Sequence, residues 1–393
     1  MMEWLVAALG TGTLCYTIVV LWLCVGILRS RRGIQCDSAT PSVSVIVAAR
    51  NEVERIPSCL LALKRQQYPG RLQIVIIDDR STDGTGALVA SMVRDWEDAD
   101  VVLVRAPDKL RYACPKKSAL AAGIEVSDGD LLLFTDADCE PPPEWVARMV
   151  ARFADDVGLV AGFACAEPLR QIRHRLLAVD NLGVSALAEG SIGMGAPLSC
   201  TGRSLAYRRS LWNQVGGFEE IGHLISGDDV YFLRLVAGTD WRVVYCAEAE
   251  AVVTGPPGPS ALTAILNQKV RHASKAARYG GGARWLGVAI YGYHALLLTG
   301  LMQIVSDGPW QVAWMAWMAW LCRWGVDAAL LSSFAPRQRR DRVLLTFLPV
   351  VEALYIPYVL ILVPLGRLGR FRWKEDETPS ETVAIRSHPD EIC

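Results

Sequence analysis

The sequence predicts a mixed architecture, an α/β domain on a largely parallel sheet joined to apolar helices that cross a membrane. Three observations carry this prediction. Of 393 residues, 52% are hydrophobic and 21% charged, and the mean hydropathy is +0.25. The charged share is close to the globular average of roughly 25%, so the apolar excess is local and a water-soluble domain stands beside it. Apolar runs recur near both ends, and between them short β-branched runs alternate with helical stretches.

The first apolar run, 4–28, has no charge and exceeds the ~20 residues that cross a bilayer. A cleaved leader is a poorer reading, because Glu3 replaces the usual base and no small-residue cleavage site follows. Arg29, Arg31 and Arg32 follow directly and place the next domain in the cytoplasm.

Residues 41–255 hold the α/β domain. The runs VSVIVAA (43–49), LQIVIID (72–78), VVLVRA (101–106) and DLLLFTDAD (130–138) are apolar almost throughout, as strands covered on both faces are. Each ends in polar residues, and ligands of open α/β sheets sit at the carboxyl ends of strands. Residues 256–284 pass through a Gly/Pro turn into a basic segment that suits an amphipathic helix at the membrane surface. Residues 285–365 contain three more apolar runs, Trp285 to Val305, Trp310 to Phe334 and Val343 to Leu365, so about three C-terminal spans are expected. Pro357 and Pro364 leave the last one open to a broken or re-entrant path. The tail 366–393 is expected to be disordered from Glu375 onward.

A net charge of -1, from 40 Lys+Arg against 41 Asp+Glu, argues against nucleic acid as a partner. The 11 cysteines never fall as CxxC and encode neither a disulfide framework nor a zinc knuckle.

The strongest chemical signal is DLLLFTDADCEPPPEW. On a strand, residues i and i+2 face one way, so Asp136 and Asp138 present two carboxylates to one point, which suits a hard divalent cation that also holds a diphosphate. A bare DxD is ordinarily a solvated acidic loop; the buried strand before it and the Pro-rich helix start after it lift this one. In IIDDRSTDGT, Asp78 and Asp79 close the second strand ahead of an N-cap signal, where a carboxylate can bond a base or ribose. Arg50, Asn51 and Glu52 form the lip of the first strand, and Lys116 and Lys117 offer positive charge to phosphates. Asp228 and Asp229, in SGDDVYFLRL, open a helix about 90 residues after the DAD.

Together these residues resemble the family 2 glycosyltransferases, nucleotide-sugar enzymes of the GT-A fold, over about 41–280. The resemblance implies that Asp79 contacts the nucleoside and that Lys117 lies near the nucleotide, and the strand-end residues Asn51, Glu52, Asp78 and Asp136 are the other candidates around the nucleotide-sugar. It also implies that Asp138, with Asp136, binds Mg2+ or Mn2+ on the diphosphate. SGDDVYF is similar to the family's Glu-Asp motif, whose second acid is the usual base, which implies Asp229 with Asp228 in reserve. CTGRSLAYRRSLWNQVGGF resembles the acceptor-side strand and loop, with Ser204 where the pattern commonly has Asn. Gln268 and Arg271 resemble the Q-x-x-R-W signature of membrane-embedded members, but His272 replaces the Trp.

The expected activity is a single displacement with inversion, moving a sugar from a nucleotide-sugar, UDP-linked by expectation, to a hydroxyl of a membrane lipid at the cytoplasmic face of a bacterial inner membrane. The expected partners are therefore the donor, the lipid acceptor and the bilayer. A processive polysaccharide synthase and a non-enzymatic membrane scaffold are the alternatives. In the apolar region, Trp310, Trp314, Trp317 and Trp324 share one helical face and suit interface anchoring. Arg323 and Asp327 are spaced for an intrahelical pair, and Glu352 can reach Arg323 only through tertiary contact.

Overall fold

The computed structural model describes residues 2–31, 40–276, 281–306, 308–334 and 339–367. The side chains of 271–276, 281–284, 286, 339–341 and 366–367 are not described, and the expected disordered tail lies outside the described residues. The chain divides into two compact units. One comprises Val19–Pro257 with Ala328–Thr346, the other Met1–Ile18, Gly258–Asp327 and Phe347–Cys393.

The first unit is an α/β domain. Its strands β1 (Val43–Ala49), β2 (Leu72–Asp78), β3 (Asp100–Arg105), β4 (Leu131–Phe134), β5 (Val157–Gly162), β7 (Leu205–Arg208) and β8 (Arg242–Cys246) form one sheet in the order β3-β2-β1-β4-β7-β5-β8. β7 is antiparallel to both of its neighbours, and the other pairings are parallel. Two short strands, β6 (Ala164–Ala166) and β9 (Val253–Gly255), pair separately. β1 and β2 coincide with the runs expected from sequence. β4 is shorter than DLLLFTDAD, because its partner β7 pairs only from Leu131 opposite Arg208 to Phe134 opposite Leu205.

The core shows why these segments are strands. Val45, Ile46, Val47, Val75, Ile76, Ile77, Leu131, Leu132 and Leu133 are buried whichever way they point, as central strands covered on both faces require. The covering helices include α2 (Ile56–Lys64), α3 (Thr85–Val93), α4 (Pro115–Val126) and α5 (Trp145–Val150). Pro sits in the first turn of α2 and α4, where its missing N–H leaves no helical bond unmade.

Two long helices also contribute. α1 (Met2–Arg31) ends in this unit, and α6 (Ile172–Gly193) crosses it at glycines. A Cβ on Gly26 would lie 1.9 Å from the Gly190 carbonyl oxygen, and one on Gly193 would lie 2.0 Å from that of Gly26. Backbone therefore meets backbone. Arg31 donates to the Phe334 carbonyl at 3.3 Å and lies 3.9 Å from the buried Glu189 carboxylate. α7 (Arg209–Gln214) and α8 (Val230–Ala237) complete the domain.

The second unit is helical: the first half of α1 with α9 (Leu262–Ala276), α10 (Gly281–Met302), most of α11 (Trp310–Phe334), and α13 (Leu348–Arg367). The short α12 (Arg339–Leu344) and most of the 3-10 turn at Leu345–Phe347, which precede α13, belong to the first unit. Leu9, Leu297, Val312, Ala316 and Ile356 pack in its core. Arg323 is buried there with its Nη2 2.8 Å from Glu352 and its Nε 3.6 Å from Asp327, and the Tyr16 hydroxyl donates to Asp327 at 2.8 Å.

Among the described residues, two helical stretches are long and apolar enough to cross a membrane, Met2–Arg31 and Arg342–Leu365; Gly287–Met302 is a shorter apolar helix. α13 runs unbroken through Pro357 and Pro364. Trp310, Trp314, Trp317 and Trp324 all face outward from α11.

Candidate functional site

β1, β2 and β4 run parallel, so their carboxyl ends open on one edge of the sheet. Two non-glycine residues there adopt left-handed backbone, Asn51 at φ 53° and Arg80 at φ 58°. Asn tolerates this region readily, but Arg does not, and such strain concentrates at functional sites. The loops after β1 and β2 are tied together. The Asn51 N–H donates to Ser81 Oγ at 3.1 Å, and the Thr82 N–H donates back to Asn51 Oδ1 at 2.8 Å. The Glu52 N–H donates to Thr85 Oγ1 at 3.0 Å.

Asp78 and Asp79 separate in role. Asp78 Oδ1 accepts from the Ser81 N–H at 3.0 Å, and its other oxygen lies where a Cβ on Gly86 would come within 2.4 Å. Its carboxylate thus holds the turn. Asp79 is buried, its N–H donates to the Ala49 carbonyl at 2.8 Å, and its carboxylate pairs with Arg80.

Asp136 and Asp138 lie beyond the end of β4, so strand alternation is not what brings them together. A turn does it, closed by the Cys139 N–H donating to the Asp136 carbonyl at 3.0 Å. Ligand atoms of Asp136, Asp138 and Cys139 all lie within 4.8 Å of one another. Burial, then the two adjacent carboxylates, push the Cys139 thiol up, so the hard oxygen donors define the site. Two partly exposed carboxylates at that spacing fit Mg2+ or Mn2+.

The lysine pair opens α4, where the helix dipole disfavours cations. Lys116 Nζ lies 2.6 Å from Asp136 Oδ1 and 3.3 Å from Asp228 Oδ2. Desolvation opposes the charge on both Lys116 and Asp136, but their attraction wins. Lys116 is raised well above the ordinary lysine value and Asp136 is held below the usual carboxylate range. Lys117, the lysine expected near the nucleotide, instead buries its ammonium and donates to the carbonyls of Ile221 and Leu224 at 2.6 and 3.0 Å. It anchors the segment leading to Asp228, while Lys116 faces the carboxylates.

Gly227, at φ 83°, turns the chain into α8. Asp229 caps that helix, accepting from the Val230 N–H at 2.7 Å, and its second oxygen receives the Gly202 N–H at 3.3 Å. Lys116, Asp136, Gly202 and Asp228 line one cleft, backed by Phe134 and Tyr207. Ser204 is fully buried and accepts from Trp145 Nε1 at 3.0 Å, so it serves the core.

Two cations escaped sequence reasoning. Arg55 Nη1 lies 3.7 Å from Asp138 Oδ2. The Arg203 charge bears on Asp136 and Cys139, and its Nη1 would meet a Cβ on Gly255 at 3.1 Å. An arginine without a recognisable spacing carries no signal in one sequence. Gln268 lies on α9, in the helical unit, and the side chain of Arg271 falls outside the described residues.

Residues 44–211 match the family model described as Glycosyl transferase family 2. Glycosyltransferase AglE of Haloferax volcanii is 28% identical over 215 residues, 53% of this chain and 65% of that protein. An N-acetylglucosaminyltransferase of Mesorhizobium japonicum is 27% identical over 326 residues, 76% of this chain and 74% of its own. An undecaprenyl-phosphate 4-deoxy-4-formamido-L-arabinose transferase of Pseudomonas fluorescens is 31% identical over 177 residues, 43% of this chain and 47% of its own. The chain spans less than two thirds of the first curated relatives it matches, 65% and 43%. Among solved structures, a mannosyltransferase from Pyrobaculum calidifontis, in complex with GDP-Man and Mn2+, aligns over 91% of this chain and 99% of its own with TM-score 0.51 and 22% identity. That likeness shows the GT-A-like fold.

Proposed function

Residues 44–211 match glycosyltransferase family 2, and on that premise we propose that the enzyme moves a sugar from a UDP-linked donor to a hydroxyl of a membrane lipid, with inversion at the anomeric carbon. The observation that carries this reading is Lys116, which joins the Asp136 carboxylate to the Asp228 carboxylate in one cleft. Donor-side and acceptor-side acids thereby share a site.

In this mechanism Asp79 receives the nucleoside at the end of β2, beside the Asn51 and Glu52 lip. Asp136 and Asp138 would hold Mg2+ or Mn2+, which would supply positive charge to the leaving diphosphate. Lys116 takes the phosphate-facing role first expected of Lys117, supplying positive charge where the leaving group develops its own. Asp229 is the base. Its carboxylate is aimed by the Gly202 N–H and by the first turn of α8, and it removes the proton of the acceptor hydroxyl as that oxygen attacks.

The lipid class of the acceptor draws on a relative with an undecaprenyl-phosphate transferase name, whereas the hydroxyl rests on the base assigned to Asp229. Other relatives are N-acetylglucosaminyltransferases, which makes UDP-N-acetylglucosamine the first donor to try. The apolar helices support a catalytic domain tethered at the cytoplasmic face of the inner membrane, with Trp285 to Val305 and Trp310 to Phe334 as two further spans. We further assign 4–28 to the anchor, 41–255 to the catalytic domain and 256–284 to an interfacial segment.

The test incubates membranes holding the protein with radiolabelled UDP-sugars, Mn2+ and total lipid, then partitions the label. Label in the organic phase, lost in Asp229→Asn, is the expected result. Label confined to insoluble polymer would replace this reading with a polysaccharide synthase. No transfer from any donor would favour a scaffold.

A further inference from the structure

Both carboxylates of the proposed metal site already have a cationic partner within this chain, Lys116 on Asp136 and Arg55 on Asp138. The two partners differ in freedom. Lys116 is held from two sides, by Asp136 at 2.6 Å and Asp228 at 3.3 Å. Arg55 precedes the first turn of α2, makes a looser contact at 3.7 Å, and keeps 53% of its side chain exposed. A divalent ion entering between Asp136 and Asp138 meets two like charges and must compete for the same oxygens. A diphosphate changes the balance, since its oxygens give a released guanidinium a bidentate partner at least as good as a single carboxylate oxygen.

We propose that Arg55 is an exchangeable gate on the metal site, competing with the divalent ion for Asp138 and passing to the diphosphate when metal and diphosphate enter together. The inference rests on the assignment of Asp136 and Asp138 as metal ligands. It makes Arg55 a diphosphate-contacting residue, and it makes metal binding depend on the donor. Free metal is opposed by Arg55, while the metal–diphosphate complex recruits it.

The experiment measures Mn2+ binding to the full chain in detergent, following the electron paramagnetic resonance signal of free Mn2+, for wild type, Arg55→Gln, Arg55→Lys and Asp138→Asn. A half-exposed ion pair is a modest competitor, so Arg55→Gln should bind Mn2+ about two- to fivefold tighter than wild type. Arg55→Lys should stay near wild type, because it restores the charge. With Mn2+–pyrophosphate, a diphosphate probe without a base, the order should reverse and Arg55→Gln should bind more weakly. Arg55→Gln binding Mn2+ no tighter than wild type, or binding Mn2+–pyrophosphate as well as wild type, overturns the gate. Asp138→Asn should lose Mn2+ affinity by about tenfold or more. Unchanged affinity in that variant would remove the metal assignment itself, an outcome distinct from failure of the gate alone.

Discussion

Lys116 and Lys117 are neighbours in the chain whose ammonium groups go to opposite destinations, one to the carboxylates of Asp136 and Asp228, the other to the backbone carbonyls of Ile221 and Leu224. Successive residues in a helix point about 100° apart, so one pair can serve both the cleft and the scaffold. Lys116→Ala should therefore fold and lose activity, by about 100-fold in kcat/KM if it stabilises the leaving group as an electrostatic donor does. Lys117→Met should lower stability by about 1–3 kcal/mol, because the buried Ile221 carbonyl and the part-buried Leu224 carbonyl lose their donor. Thermal unfolding and the transfer assay, run on both variants, separate the two roles.

The acids at the start of α8 can be ranked. Asp229→Asn should remove catalysis by about 10²–10⁴-fold while leaving nucleotide affinity intact, the signature of a lost base. Asp228→Asn releases one partner of Lys116 and should alter KM for the donor. Equal effects on kcat from both substitutions would reverse the assignment.

Acid should weaken the cleft. Asp136 is held below the usual carboxylate range, so its contribution to stability is complete above the unfolded value of about 3.9 and is lost as pH falls through the lower folded value. Lys116 is raised, so its contribution is complete below about 10.4 and is lost only as pH rises past its folded value. The pair should hold across the interval between. The melting temperature of wild type should drop more steeply below pH 4 than that of Asp136→Asn; parallel curves would mean the pair adds no stability.

Glycines on one helix should respond in opposite directions. A Cβ on Gly190 would lie 2.7 Å from the Leu23 carbonyl oxygen, whereas one on Gly183 meets nothing within 4 Å. Gly190→Ala should destabilise by about 1–3 kcal/mol by forcing α1 and α6 apart. Gly183→Ala should stabilise by roughly 0.5–1 kcal/mol, the helix preference for Ala over Gly. Melting temperatures of the two variants make the comparison.

In the helical unit, Arg323→Met alone leaves Glu352 and Asp327 without their cation and should cost about 3–5 kcal/mol. Replacing Arg323 and Glu352 together by apolar residues of similar volume should recover most of that loss, since the desolvation of both charges goes with the pair. A double-mutant cycle on thermal unfolding reads the coupling.

Much of this protein follows from local pattern. Val43–Ala49 and Leu72–Asp78 were legible as strands because burial on both faces demands apolar residues at every position, and the DAD, DD and GDD acids were legible because polar residues at strand and helix ends stand out against such runs. β5, β6, β8 and β9 were not, since short strands carry too little signal beside the helices that surround them. The partners of the acids were also hidden. Which lysine of a pair turns to the cleft, which arginine reaches Asp138, and whether Ser204 faces substrate or Trp145 all depend on elements far apart in the chain.

The sequence by itself determined the central strands β1 and β2, the long apolar runs and the acids that could do chemistry, because those depend on periodicity and on what ends a run. Only the tertiary structure decided which charges of the cleft meet. Asp136 and Asp228 are about 90 residues apart in sequence, and Lys116 joins them because the return of the chain through β7 to α8 closes the cleft. Ion pairing acts over a few ångströms, and no spacing rule along the chain encodes a distance that the packing of the sheet creates.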